Sequence, residues 1–154
     1  MAAKLGHKPI VTILLANGAE LNSQDHFEEY PKGKQGSTPL IEATREGFIE
    51  IMQQLISKGA DINTIDELSE KWDLTALIAA SAKRNLDAVK LLVVNGADLN
   101  IGRDRKCGQE RGTALDFAIG IYTTDIYTTP TYDYLQEKGA LPSVTPDCPV
   151  VGIR

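Results

Sequence analysis

The sequence predicts an all-α solenoid of helix-turn-helix units joined by long hairpin-like loops. Three observations carry this. The first is a recurring phrase: Asn17-Gly18-Ala19-Glu20-Leu21-Asn22, Lys58-Gly59-Ala60-Asp61-Ile62-Asn63 and Asn95-Gly96-Ala97-Asp98-Leu99-Asn100, with a worn fourth copy at Lys138-Gly139-Ala140-Leu141. Recurrence at roughly forty residues marks stacked units rather than one closed core. The second is an apolar stripe at helical spacing ahead of the phrase, as in Ile51, Met52, Leu55 and Ile56 or Val89, Leu92 and Val93, which neighbouring units must cover. The third is a threonine opening at Thr38-Pro39-Leu40, Thr75-Ala76-Leu77 and Thr113-Ala114-Leu115. Threonine caps a helix N-terminus, and proline in the first turn has no N–H to leave unpaired.

In chain order, the units are expected at about residues 1–22, 36–63, 73–100 and 111–141, forming one domain over 1–141. In the first, Met1-Ala2-Ala3 aligns with the end of a first helix, and Ile10, Val11, Leu14 and Leu15 form the stripe of the second. Burying each such side chain is worth about 1.5–3 kcal/mol, so a truncated or misplaced start, with more protein before Met1, is expected rather than a frayed end. A secretory leader through Ala16-Asn17-Gly18 is the alternative, but these residues fit the repeat position by position.

In the second unit Gly47 ends the first helix, in the left-handed conformation that glycine adopts most cheaply, and Gly59 ends the second. The third unit repeats the plan, with small Ala79, Ala80 and Ala82 allowing close helix approach. In the fourth, about five extra residues are inserted, and Tyr122 to Pro130 is expected to form an extended loop before a last helix from Tyr132 to Lys138. Pro142 to Arg154 holds three prolines without periodicity and reads as a flexible tail.

These residues closely resemble the ankyrin repeat. The family pattern of T-P-L-H-x-A-A, G-H, an apolar pair and G-A-D-x-N is matched by Thr38-Pro39-Leu40, Leu55-Ile56 and Gly59-Ala60-Asp61-Ile62-Asn63, and by Gly6-His7 in the first unit. The resemblance covers nearly everything from Met1 to about Leu141. Ile41, Ile78 and Asp116 stand where the family usually has histidine, and Arg84 replaces the usual inter-helix glycine, so that turn is expected to be strained or reshaped.

The resemblance implies a protein-binding scaffold or adaptor. Family repeats of about 33 residues leave short loops, and here Ser23 to Gln35, Thr64 to Leu74 and Ile101 to Gly112 add length at every connection. Long loops on one side of a solenoid are the usual seat of specificity. Candidate partner-binding residues are Phe27 and Tyr30 in the first loop, Trp72 in the second, Arg105 and Arg111 in the third, and Tyr127 in the insertion. Exposed aromatics flanked by charge bury much area at small entropic cost. The competing reading is that Phe27 or Trp72 folds back over the core and that the arginines are merely solvated. Of the four tyrosines Tyr122, Tyr127, Tyr132 and Tyr134, some are expected to cap the core.

Asn22, Asn63 and Asn100 resemble hairpin asparagines that are hydroxylated in this family. The competing reading is structural, since asparagine accepts turn conformations and bonds nearby backbone.

A partner is expected to be another protein, met by a monomer or by part of a longer chain. Across 154 residues the composition is 42% apolar and 24% charged, ordinary for a globular protein, and the net charge of -5 disfavours nucleic acid. No apolar stretch approaches the roughly 20 residues that span a bilayer. Cys107 and Cys148 show no disulfide or zinc spacing, which points to a reducing cytoplasm. No enzymatic role, cofactor or metal is expected: His26 lacks a nucleophile in a local motif, adjacent Glu28 and Glu29 are no evidence of an acid/base pair, and no phosphate loop appears. The alternative is a regulatory or inhibitory subunit that masks a partner enzyme.

Overall fold

The computed structural model describes residues 1–24, 36–67, 74–102, 112–119 and 129–142. Through these run α1 (Lys8–Ala16), α2 (Pro39–Glu46), α3 (Ile49–Ser57), α4 (Ala76–Ala82), α5 (Leu86–Val94), α6 (Ala114–Ile119) and α7 (Pro130–Glu137). Helices α2, α4 and α6 pack side by side in one layer, and α1, α3, α5 and α7 form the second. The two layers meet where α2 packs on α3, α4 on α5 and α6 on α7.

The first-layer helices start where threonine predicts. Thr38 Oγ1 accepts the Ile41 N–H at 3.3 Å and Thr75 Oγ1 accepts that of Ile78 at 3.2 Å. Each satisfies one of the orphan donors at a helix N-terminus. Leu40, Leu77, Met52, Val89, Leu92 and Leu135 fill the space between the layers and are almost fully buried. Ala76, Ala79 and Ala80 are buried too, and their small size lets α4 lie against both α2 and α6.

The departures from the family pattern are absorbed locally. Ile41 and Ile78 are buried core residues. Asp116, also buried, accepts both the backbone N–H of Thr113 at 2.7 Å and its hydroxyl at 2.9 Å, closing the start of α6 as the acid of a capping box does. Arg84 takes φ 54, a left-handed backbone that costs a side-chain-bearing residue about 1–2 kcal/mol. The equivalent turn between α2 and α3 uses Gly47 at φ 79. The expected strain at Arg84 is therefore present.

One expectation needs correcting. Pro130 does not close the loop before the last helix; it is the first residue of α7, which runs to Glu137. Thr129 is its cap, with Oγ1 accepting the Tyr132 N–H at 3.2 Å and donating to the Ala118 carbonyl at 3.0 Å. Thr129-Pro130 thus repeats the opening of α2. Tyr132 and Tyr134 pack partly against the core, as expected of some tyrosines, and Lys90 and Lys138 lie 5.8 and 5.4 Å from the Tyr134 ring centre. No helix among the described residues is long and apolar enough to cross a membrane.

Candidate interaction surface

The recurring phrase is a helix terminator followed by a clasp. At the end of α3 the Gly59 N–H reaches the Ile56 carbonyl at 2.9 Å and the Ala60 N–H reaches Leu55 at 3.0 Å. That paired pattern with glycine at φ 93 is a Schellman ending. Ala19, Ala97 and Ala140 donate in the same way to Leu14, Leu92 and Leu135. Glycine turns the backbone, and alanine closes it.

The asparagine that follows holds the next unit. Asn22 Oδ1 accepts the Asp61 N–H at 2.8 Å, Asn63 Oδ1 accepts that of Asp98 at 2.8 Å, and Asn100 Oδ1 accepts that of Leu141 at 3.0 Å. Asp61 and Asp98 orient the asparagines in turn, each Oδ1 accepting the backbone N–H two residues on at 2.9 Å. This ladder ties each hairpin turn to the next. It gives all three asparagines a structural reason to be asparagine, whether or not they are modified. Asn22 and Asn63 are exposed, and Asn100 is half-buried.

The described residues on either side of each long connection also meet, forming a base for it. Gln24 Nε2 donates to the Gly36 carbonyl at 2.9 Å, across the base of the first loop, and to Ile65 at 3.2 Å, in the base of the second. Asp66 and Leu74 exchange two backbone hydrogen bonds, at 2.9 and 3.1 Å, across the second base. At the third, Gly102 at φ 95 lies so close to Gly112 that any Cβ would meet its carbonyl oxygen at 2.7 Å. The described residues that flank each of the three long connections are therefore held close together.

A cluster of charges ties the second base to the first-layer helices. Arg45 Nη2 lies 2.6 Å from Asp66 Oδ2 and Nη1 lies 2.5 Å from Glu42 Oε1, while Lys4 Nζ stands 3.5 Å from Glu42 Oε2. Burial alone would push the Glu42 carboxyl up. The Ser37 hydroxyl nearby, although it forms no hydrogen bond of good geometry, Arg45 and Lys4 outweigh it and hold the group below its ordinary value. Gln24 and the Arg45–Asp66 pair were not among the residues singled out in the sequence. Each occurs in one unit only, so no repetition marks it.

Phe27, Tyr30, Trp72, Arg105, Arg111 and Tyr127 all lie outside the described residues, as do His26, Cys107, Cys148 and Tyr122. What is described is the row of bases that carries their segments. Among the described residues no group of three His, Cys, Asp or Glu side chains is placed to hold a metal ion.

Comparison with known proteins agrees with this geometry. A family model of ankyrin repeats, in three copies, matches residues 1–103. The chain is 36% identical over 97 residues to the ankyrin repeat and KH domain-containing protein mask-1 of Caenorhabditis elegans, covering 63% of this chain and 3% of that protein. It is 32% identical over 108 residues to the mitochondrial disaggregase of Bos taurus, covering 70% of this chain and 14% of that protein. The human neurogenic locus notch homolog protein 1 is 37% identical over 71 residues, or 46% of this chain and 3% of its own length. This chain thus matches only a small part of each of these relatives.

Proposed function

The chain belongs to the ankyrin-repeat family, and from that premise we propose that it is a protein-binding module whose contacts are made by the long inter-unit loops and the first-layer helix face. Ankyrin repeats are in general protein-interaction modules and typically not enzymes. The observation that best supports the reading is the row of fixed bases at Gln24/Gly36, Asp66/Leu74 and Gly102/Gly112. A row of bases already held by hydrogen bonds and close packing costs little to order on binding, and the long connections it carries are the usual seat of specificity. Phe27, Tyr30, Trp72, Arg105, Arg111 and Tyr127 are the proposed contact residues.

Affinity purification of the tagged chain from its native cell extract, with quantitative mass spectrometry, tests the reading. A near-stoichiometric protein partner that is absent from an unrelated ankyrin-repeat control is expected. Recovery of the same proteins by both baits would count against a specific binding role.

A further inference from the structure

We propose that Asn95, at the end of α5, is a site of spontaneous modification: its side chain condenses with the backbone nitrogen of Gly96 and reopens as isoaspartate, which unties the third hairpin from the second. The proposal stands independently of the protein-binding reading above.

The residue after each asparagine decides whether this reaction is open to it. Asn22, Asn63, Asn85 and Asn100 precede Ser23, Thr64, Leu86 and Ile101, whose side chains crowd the nitrogen that must attack. Asn17 and Asn95 precede glycine, which has no Cβ to stand in the way. In the second and fourth units Lys58 and Lys138 fill the same place and carry no amide to lose. Asn95 and Gly96 are both exposed. Apart from its chain neighbours, no atom lies within 4 Å of the position a Cβ on Gly96 would take, so there is room for the ring to close.

The step needs only water and solvent base, and no electrons are exchanged with an oxidant or reductant. Base removes the Gly96 amide proton, the nitrogen bonds to Asn95 Cγ, and the Cγ–Nδ2 bond breaks. Nδ2 leaves as ammonia, with a proton taken from water. Water then adds to one of the two carbonyls of the five-membered ring. Opening one way gives aspartate. Opening the other way frees the α-carboxylate and routes the main chain through Cβ and Cγ, one carbon longer.

In the folded chain both reacting groups are held. Asn95 Nδ2 donates to the Leu91 carbonyl at 2.7 Å and the Gly96 N–H to that of Val93 at 3.1 Å. The reaction therefore waits for the last turn of α5 to open, a local event that costs less than global unfolding. Once it has occurred, the turn cannot close as before. The amide donor that faced the Leu91 carbonyl is gone, and a carboxylate stands at the negative end of the helix dipole. The added carbon displaces Gly96 and Ala97, the first accepting from Asn63 Nδ2 at 3.3 Å and the second donating to the Leu92 carbonyl at 3.0 Å. Asp98, next in the same turn, then loses the placement that lets its N–H reach Asn63 Oδ1 at 2.8 Å.

The test ages the whole chain at mildly alkaline pH, folded and in urea, beside Asn95→Lys, which installs the side chain of the second and fourth units. Peptide mapping by mass spectrometry should show Asn95 converting at least tenfold faster than Asn63 or Asn100 in the folded chain, and more slowly than in urea. In the isoaspartyl fraction, separated by anion exchange, the Asp98 amide should exchange hydrogen at least fivefold faster than in fresh protein, as read by NMR. Asn95→Lys aged in parallel should exchange there as it did when fresh. An intact Asn95 in the folded chain, conversion of Asn63 or Asn100 at the same rate, or unchanged Asp98 exchange in the isoaspartyl fraction would overturn the proposal.

Discussion

The side-chain carbonyl of Asn63 accepts the backbone N–H of Asp98 at 2.8 Å, and its amide nitrogen lies 3.3 Å from the Gly96 carbonyl. One side chain thus links two successive hairpins by both of its ends. Removing it with Asn63→Ala should destabilise the chain by about 1 kcal/mol, the usual net worth of a hydrogen bond, with the exposed setting limiting the loss. Asn63→Asp keeps the acceptor and should lose less. Urea denaturation of the three proteins checks the order, and equal stability of Asn63→Ala and the parent would contradict it.

Arg84 occupies a left-handed turn at φ 54 that glycine fills between α2 and α3. Arg84→Gly should relieve the backbone strain, partly offset by glycine's greater freedom in the unfolded chain, for a net gain on the order of 0.5 kcal/mol. Arg84→Ala keeps the strain and should bring no such gain. Thermal melts of both variants separate backbone from side-chain effects; a loss on going to glycine would assign the position to the side chain.

The two leucines Leu14 and Leu92 hold the same place in their units but differ in cover, Leu92 being fully buried. Leu92→Ala leaves a cavity and should cost about 2–5 kcal/mol. Leu14→Ala, at a half-open surface, should cost well under half as much. Chemical denaturation that found equal losses would mean that Leu14 is covered in solution, as by self-association.

Glu42 is buried, and Arg45, Lys4 and the Ser37 hydroxyl hold its carboxyl below the ordinary 4.5. A carboxyl depressed in the folded state contributes stability that is present above its unfolded value and lost as pH falls through its folded one. The chain should therefore lose stability progressively below pH 4.5, and Glu42→Gln should lose less over the same interval. Denaturation at neutral pH and below 4.5 tests this. A variant as acid-sensitive as the parent would show that other carboxyls dominate.

Much of the fold was legible because its signals are local. Gly59 and Ala60 close α3 by bonds to residues three and five positions back, and Thr38 caps α2 three residues ahead. Such contacts leave a pattern in the sequence that repetition reinforces. The start of α7 is hard to read although Thr129-Pro130 repeats Thr38-Pro39, because the Thr- and Tyr-rich insertion before it masks the resemblance. The bases of the loops were less legible. Gln24 reaches Ile65 across 41 residues and Arg45 reaches Asp66 across 21, and nothing in the intervening sequence announces either contact. The recurring phrase shows where hairpins begin, and only the fold shows how Gln24 joins the first base to the second and Arg45 ties the second to α2.

The central claim is that this row presents a binding surface, and the most direct test compares the parent chain with a double variant, Tyr30→Ala and Trp72→Ala. Both are used as bait in the same native extract, and both are melted. The account predicts that the specific partner is lost at least tenfold while the melting temperature stays within about 2 °C, the shift expected of surface changes. Undiminished capture, or a fall in melting temperature that parallels the lost capture, would contradict it.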